Sequence, residues 1–198
     1  RQKITLILIL LGIILALLPL TGSRSFTVSP SKGLSAITDK ENYLTVDQVA
    51  RYIAAEDTSV QLIDLRPPEQ FSNLNIPGSI NIPYENFIST APGVLSGNSR
   101  YILYSNDDIF AGNALSLARG LNIKNIYIRK DGLNEWFRTV MNSRFSGDRI
   151  TARENALFEN RRKAAKIFTE INSLPDSLKK QYYLSRQVSA KKLDGGCE

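Results

Sequence analysis

Two residues in this 198-residue chain have nucleophile chemistry in places that could matter: Ser105 and Cys197. Ser105 follows the apolar run Tyr101-Ile102-Leu103-Tyr104 and precedes Asn106-Asp107-Asp108-Ile109-Phe110-Ala111-Gly112. Strand, short loop and helix in that order aim unpaired backbone N–H groups at one point, which is a common way to hold an anion. Sulfur or phosphate chemistry in such a loop calls for a thiolate at the strand end. This chain has a hydroxyl there, two acidic residues after it, and no histidine anywhere to serve as base. A serine hydrolase therefore lacks its second member.

The lone thiol lies far off, within Asp194-Gly195-Gly196-Cys197-Glu198. A single cysteine excludes an internal disulfide, and the two glycines give it reach instead of a fixed place. Three readings stay open for Cys197: an inert tail end, a disulfide or metal ligand shared with a partner, or a swinging persulfide carrier. With no histidine and one cysteine the residue inventory does not provide a self-contained zinc or haem site, and no cofactor is expected.

The elements that would position Ser105 are legible from periodicity. Strand patterns at about 61–64, 79–82, 101–104 and 125–128 alternate with helical patterns at 46–55 and 111–120. That alternation predicts an α/β fold with a mainly parallel sheet flanked by helices. Ala111, Ala114, Leu115 and Ala118 recur at helical spacing and are read as core, with Gly120 placed to end their helix.

Residues of about 43 to 137 resemble a rhodanese (sulfurtransferase) domain. Tyr43-Leu44-Thr45-Val46-Asp47-Gln48-Val49 resembles the family's opening helix. Gln61-Leu62-Ile63-Asp64-Leu65-Arg66, followed by Glu69 and Phe71, is similar to its strand ending in Asp-x-Arg. Asn75-Ile76-Pro77-Gly78-Ser79-Ile80-Asn81-Ile82-Pro83 is similar to its His-Ile-Pro-Gly-Ala-x-Asn-Ile-Pro segment, with Asn75 where histidine is usual. Asn125-Ile126-Tyr127-Ile128 and Asp131-Gly132-Leu133-Asn134-Glu135-Trp136 resemble the last strand and the helix start after it. Asp64, Arg66, Gly132 and Trp136 are thus family framework, and Asp64 with Arg66 is expected to pair at the strand end.

The resemblance implies a persulfide-carrying loop of the form Cys-x-x-Gly-x-Arg. Carried over, Ser105 stands for the cysteine, Asp108 for the glycine and Phe110 for the arginine. An alcohol cannot hold a sulfane sulfur as a thiolate does. Asp107 and Asp108 bring negative charge to a place that would receive an anionic substrate. Losing the glycine restricts the dihedrals that let backbone amides converge. The loop from Ser105 through Asn106, Asp107, Asp108 and Ile109 to Phe110 is therefore read as degenerate, with no catalytic residue.

Both ends of the chain differ from this middle. Residues 4–20 carry no charge over seventeen positions, about the lower limit for crossing a bilayer, and Arg1 and Lys3 precede them. Residues 1–22 are read as an anchor or signal segment, with the N-terminus cytoplasmic and the domain outside the inner membrane. Residues 23–42, rich in Ser, Thr, Pro, Lys and Gly, are read as a tether, 43–140 as the domain, and 141–198 as a basic helical hairpin with a Gly-Gly-Cys tail. In that hairpin Thr151-Ala152-Arg153-Glu154 is a capping box opening a helix to about Leu174. Its apolar stripe of Ile150, Leu157, Ala164, Phe168 and Ile171 either folds back on the domain or meets a partner. A second helix, Ser177 to Lys192, is more polar and is expected to project into solvent or touch another subunit.

Charge follows the same division. The chain is +6 overall, with 13 Lys/Arg against 5 Asp/Glu in 138–192 and 8 against 11 in 40–137. Arg161, Arg162 and Lys163 are candidates for an acidic partner or lipid surface, no nucleic-acid role being expected of an exported domain. The sequence thus points to a membrane-anchored, inactive rhodanese-like module serving as a partner-binding subunit of an envelope complex. The alternative is a sulfurtransferase or persulfide carrier that uses Cys197.

Overall fold

Runs of aliphatic and aromatic residues between turn residues form five strands: β1 (Tyr43–Leu44), β2 (Val60–Asp64), β3 (Ile80–Asn81), β4 (Arg100–Tyr104) and β5 (Ile126–Arg129). They make one sheet of order β1-β5-β4-β2-β3 in which every pairing is parallel. The computed structural model describes residues 30–145 and 151–194, together with Lys3. The apolar run 4–20 and Cys197 lie outside the described residues. Among those described, no helix is long and apolar enough to cross a membrane.

Parallel strands need helical crossovers, and these cover both faces of the sheet. One face is packed by α1 (Pro30–Thr38), α4 (Phe87–Val94) and α5 (Asp108–Gly120), around Ile63, Leu103, Leu115, Ile126 and Ile128. The other is packed by α2 (Val46–Ala54), by α6 (Gly132–Glu135, continuing as a π-helical turn over Trp136–Met141) and by α7 (Ala152–Asn172). A short α3 (Pro68–Asn73) follows β2, and α8 (Asp176–Asp194) follows α7. The loop after β4 therefore emerges at the carboxyl edge of a buried central strand, flanked by β2 and β5, where ligands of open α/β sheets bind.

Three local readings are corrected by the structure. Tyr43-Leu44 is a strand, and α2 begins only after Thr45, whose side chain and Gln48 form a reciprocal capping box. The helix after Ser105 starts at Asp108, not 111, because Asp107 caps it. The described part of the expected tether is helix α1, which Pro30 can open because a first-turn proline forfeits no helical bond. It docks on α5: Ile37 approaches the space beside Gly112, where an added Cβ would sit 3.6 Å from it. Asn42 and Tyr43 fasten its end through the Ala36 and Ile37 carbonyls at 2.9 and 2.7 Å. The Ser/Thr/Pro/Gly composition concealed a short buried stripe at Gly33 and Ala36.

The C-terminal helices fold back on the domain. The capping box at Thr151 and Glu154 is formed, and Ala164 and Phe168 of the α7 stripe are buried against α2 and α6, whereas Leu157 and Ile171 stay half-buried. Ile150 lies outside the described residues. Phe168 packs beside Trp136 and edge-on to Phe137, with centroids at 5.9 and 5.7 Å. Arg161, a candidate partner contact, is instead bound bidentately to Asp47 at 2.5 and 2.7 Å. Arg162 pairs with Glu159 on the exposed face.

One buried residue receives both helices. The Asn172 side chain accepts from the Asn75 N–H at 3.1 Å and donates to the Asn75 carbonyl at 2.9 Å. The Tyr183 hydroxyl donates to Asn75 Oδ1 at 2.6 Å, while Asn75 Nδ2 holds the Phe71 carbonyl. Helix α8 thus touches the domain through Tyr183, contrary to the expected projection. Its polarity hid this because one hydrogen-bonding aromatic makes the contact.

Burial pushes the Tyr183 phenol up to about 12, against the Asn75 bond that pulls it down. Folded, it keeps its proton longer than an unfolded tyrosine near 10. Its contribution is therefore full below pH 10 and falls as pH rises toward about 12. Tyr183→Phe should cost about 1 kcal/mol in denaturant titrations at pH 8. The difference from wild type should shrink above pH 10; a difference constant to pH 12 would contradict the latch.

Candidate functional site

The site is built from the end of β2. Asp64 closes the strand fully buried, and Arg66, 5% exposed, folds back onto it. The carboxylate accepts from the Arg66 N–H at 2.9 Å and from its guanidinium at 2.6 to 3.2 Å. Burial pulls the guanidinium pKa down, but the Asp64 carboxylate outweighs it and the net direction is up. Arg66 Nη2 also donates to the Leu74 carbonyl at 2.7 Å, and Asn81 Nδ2 bridges the Asp64 and Arg66 carbonyls. The pairing expected of these two residues is present, and it fixes both segments leaving the strand.

Tyr104, the last residue of β4, pins the next segment. Its hydroxyl accepts from the Ile76 N–H at 3.2 Å and donates to Ser79 Oγ at 3.0 Å, and Ser79 in turn donates to the Ile76 carbonyl. Burial holds this phenol well above the ordinary range. The Arg66 guanidinium sits 5.9 Å over its ring. Strand ends, Arg66 and the 75–79 turn are thus one rigid frame.

The loop that follows is fastened from below by the start of α6. Leu133 N–H donates to the Ser105 carbonyl at 2.7 Å, and Asn134 N–H reaches the Asn106 carbonyl at 3.4 Å. Gly132 lies under the loop with φ +50°, and a Cβ there would come within 2.3 to 2.4 Å of the Asn106 and Asp107 backbone. Only glycine permits that approach, which is the physical content of its framework role. Trp136, fully buried, packs one turn on beneath.

At the N-terminus of α5 the anion position is filled from within. The Asp107 carboxylate accepts from the Ile109 N–H at 2.9 Å. It covers the positive end of a 13-residue helix. Asp108 faces inward: burial raises its pKa, against the N–H groups of Asp131 and Gly132 and the Arg129 charge, which lower it. Ser105 is buried and Asn106 donates to Gln70 Oε1 at 3.2 Å, tying the loop to α3.

Beside this loop opens a cavity of about 520 Å³. Leu65, Pro67, Pro83, Tyr84 and Phe110 supply its apolar wall, and Ser105 lies at its floor. Phe110 leans on Tyr84 with ring centroids 5.0 Å apart and planes at 54°. Phe110 and Ile109 remain 47% and 68% exposed, so the loop presents apolar surface where the resemblance implies a cation.

The structure therefore gathers Asp64, Arg66, Ser105, Asn106, Phe110 and Gly132 at one edge of the sheet. It places Arg161, Arg162 and Lys163 away on α7, and Cys197 lies outside the described residues. Sequence reasoning missed Tyr84, Asn172, Tyr183 and Arg129. Arg129 alone carried a signal, a charge at the end of an otherwise apolar strand. It is fully buried, and none of its three guanidinium nitrogens has a hydrogen-bond partner among the described residues. Burial lowers its pKa to about 10, more than Tyr104, Asp108, Glu135 and Asp131 raise it.

Residues 45–139 match the family model of the rhodanese-like domain, and this chain carries such a domain with a parallel sheet flanked by helices. A stretch of 113 residues is 29% identical to the adenylyltransferase and sulfurtransferase UBA4 of Lodderomyces elongisporus, covering 51% of this chain and 24% of that protein. A stretch of 58 residues is 38% identical to the thiosulfate:glutathione sulfurtransferase of Saccharomyces cerevisiae, covering 29% of this chain and 39% of that protein. The chain therefore spans less than half the length of these curated relatives. Among solved structures it is similar to the single-domain sulfurtransferase RDL2 of Saccharomyces cerevisiae, at 24% identity and TM-score 0.41, over 51% of this chain and 92% of that one.

Removing one member of the buried ion pair strands the other. Asp64→Ala should cost about 3–5 kcal/mol in denaturant unfolding, and a loss under about 1 kcal/mol would contradict the frame described.

Arg129→Met should act oppositely. Net desolvation of an unsatisfied cation is relieved, raising stability by about 1 kcal/mol or more and Tm by about 2–4 °C. Because the folded pKa lies below the unfolded one, wild type carries the full penalty below pH 10 and recovers part of it above. The variant's advantage should therefore narrow at high pH.

Proposed function

We propose that this rhodanese-like domain is silent in sulfur transfer and serves as a docking module. In this reading the apolar run 4–20 ties it to the inner membrane, where it acts as an accessory subunit of an envelope complex. The observation that carries the reading is the Asp107 carboxylate on the Ile109 N–H at 2.9 Å. A carboxylate already placed at the helix N-terminus excludes a second anion by charge and by occupancy. Ser105 supports it from the other side, since a buried hydroxyl with no histidine in the chain has no route to a nucleophile. The exposed Ile109 and Phe110 then have a use as contact surface, aromatic residues being enriched where proteins meet.

The curated relatives bear sulfurtransferase names, so the activity itself is the test. Full-length protein in nonionic detergent should transfer no sulfur from thiosulfate to cyanide above the buffer rate. Ser105→Cys alone should stay silent because Asp107 still fills the loop. Adding Asp107→Gly, Asp108→Gly and Phe110→Arg to it frees the amides and should raise transfer by roughly a hundredfold. Wild-type turnover that disappears in Cys197→Ala would sink the proposal in favour of a carrier thiol.

A further inference from the structure

The cavity beside Ser105 combines an aromatic corner with two carboxylates outside any ion pair, and these point to what it takes. We infer that it receives an arginine side chain presented by an extended segment of a partner polypeptide. The inference rests on the docking reading and specifies the partner's chemistry.

The walls come first. Tyr84 and Phe110 form a tilted aromatic corner at 5.0 Å and 54°, continued by Leu65, Pro67 and Pro83. Such a surface suits the flat, weakly hydrated guanidinium and its aliphatic stem better than a compact ammonium ion. The rim carries two carboxylates, Glu69 and Glu85, both exposed and neither in an ion pair among the described residues. They come from two segments, Glu69 from α3 and Glu85 from the turn before α4, next to Tyr84.

No cation competes for them. Arg66 is the basic residue among those lining the cavity, and its guanidinium is committed to Asp64 and Leu74. The helix N-terminus that would otherwise lend positive charge is covered by Asp107. The two lining carboxylates outside any ion pair, Glu69 and Glu85, favour a cation and disfavour phosphate, nucleic acid and anionic lipid alike. A volume of about 520 Å³ holds more than one side chain, and the exposed Pro67 and Pro68 in its lining extend the apolar contact. Both features suit arginine flanked by apolar residues on a polypeptide, not a small free cation.

The probe is the peptide acetyl-Gly-Leu-Arg-Leu-Gly-amide, with its citrulline counterpart as the neutral isostere. Full-length protein in nonionic detergent is titrated with each, following resonances of Tyr84 and Phe110. The arginine peptide should bind at least about tenfold tighter, with an advantage that falls as salt rises. Glu69→Gln with Glu85→Gln should bring it to the citrulline level, and Phe110→Ala should weaken both peptides. The glutamates are exposed, so their replacement leaves the fold intact, which the unchanged Tyr104 and Trp136 resonances would report.

Equal affinity for the two peptides overturns the inference, as does saturable displacement of the arginine peptide by thiosulfate. Concentration-dependent self-association abolished by Phe110→Ala also overturns it, by naming a second copy as the occupant. The same samples are assayed for sulfur transfer. Silence with equal peptide affinity defeats the arginine assignment alone, whereas turnover defeats the docking reading beneath it.

Discussion

A carboxylate with no exposure to water must be matched, and the Asp64–Arg66 pair is where this molecule meets that constraint. Neither charge can be buried alone, because stranding one ion costs several kcal/mol. The solution uses the guanidinium twice, once on Asp64 and once on the Leu74 carbonyl. It therefore dictates the course of the chain from 65 to 74, and with it the position of α3, the Pro-rich wall of the cavity and the placing of Asn75. Asn81 and Tyr104 extend the same frame across β3 and β4. What varies between the segments leaving the sheet is chemistry mounted on that frame.

The loop after β4 is held by its backbone, and its side chains face the cavity and the helix N-terminus. Its carbonyls are still held by Leu133 and Asn134, and Gly132 still lies under it. Asp107 satisfies the amide that an external anion would seek, and Phe110 leans on Tyr84 where the resemblance implies a cation. Electrostatic sign at a helix N-terminus is decided by whichever negative charge reaches it first, and here that charge is covalently attached.

The residues beyond the family match are part of the same body. Helix α7 closes the second face of the sheet with Ala164 and Phe168, and α8 adds Tyr183 to the contact on Asn75. Asn75 stands where the resemblance implies histidine; its backbone N–H and carbonyl bind Asn172 of α7, while its side-chain oxygen accepts from Tyr183 of α8. The basicity of the region is partly spent inside the molecule, since Arg161 is bound to Asp47.

Much of this was legible before any coordinates. The period-two and helical patterns located β2, β4, β5, α2 and α5 to within a few residues, because those segments bury one face each and their composition must say so. The pairing of Asp64 with Arg66 was expected from the resemblance, and the structure shows it at the strand end. The capping box at Thr151 is local, and local geometry suffices to read it; the one at Thr45 was masked by reading Tyr43-Leu44 into the helix. Asn75 with Asn172, 97 positions apart, gives no such signal, nor does Tyr84 against Phe110, nor the burial of Arg129. Those depend on how crossovers stack elements distant in sequence. Residue order determined which surfaces must leave water; packing alone decided which of them would meet, because contact across a fold is set by the geometry of the whole chain and not by any window of it.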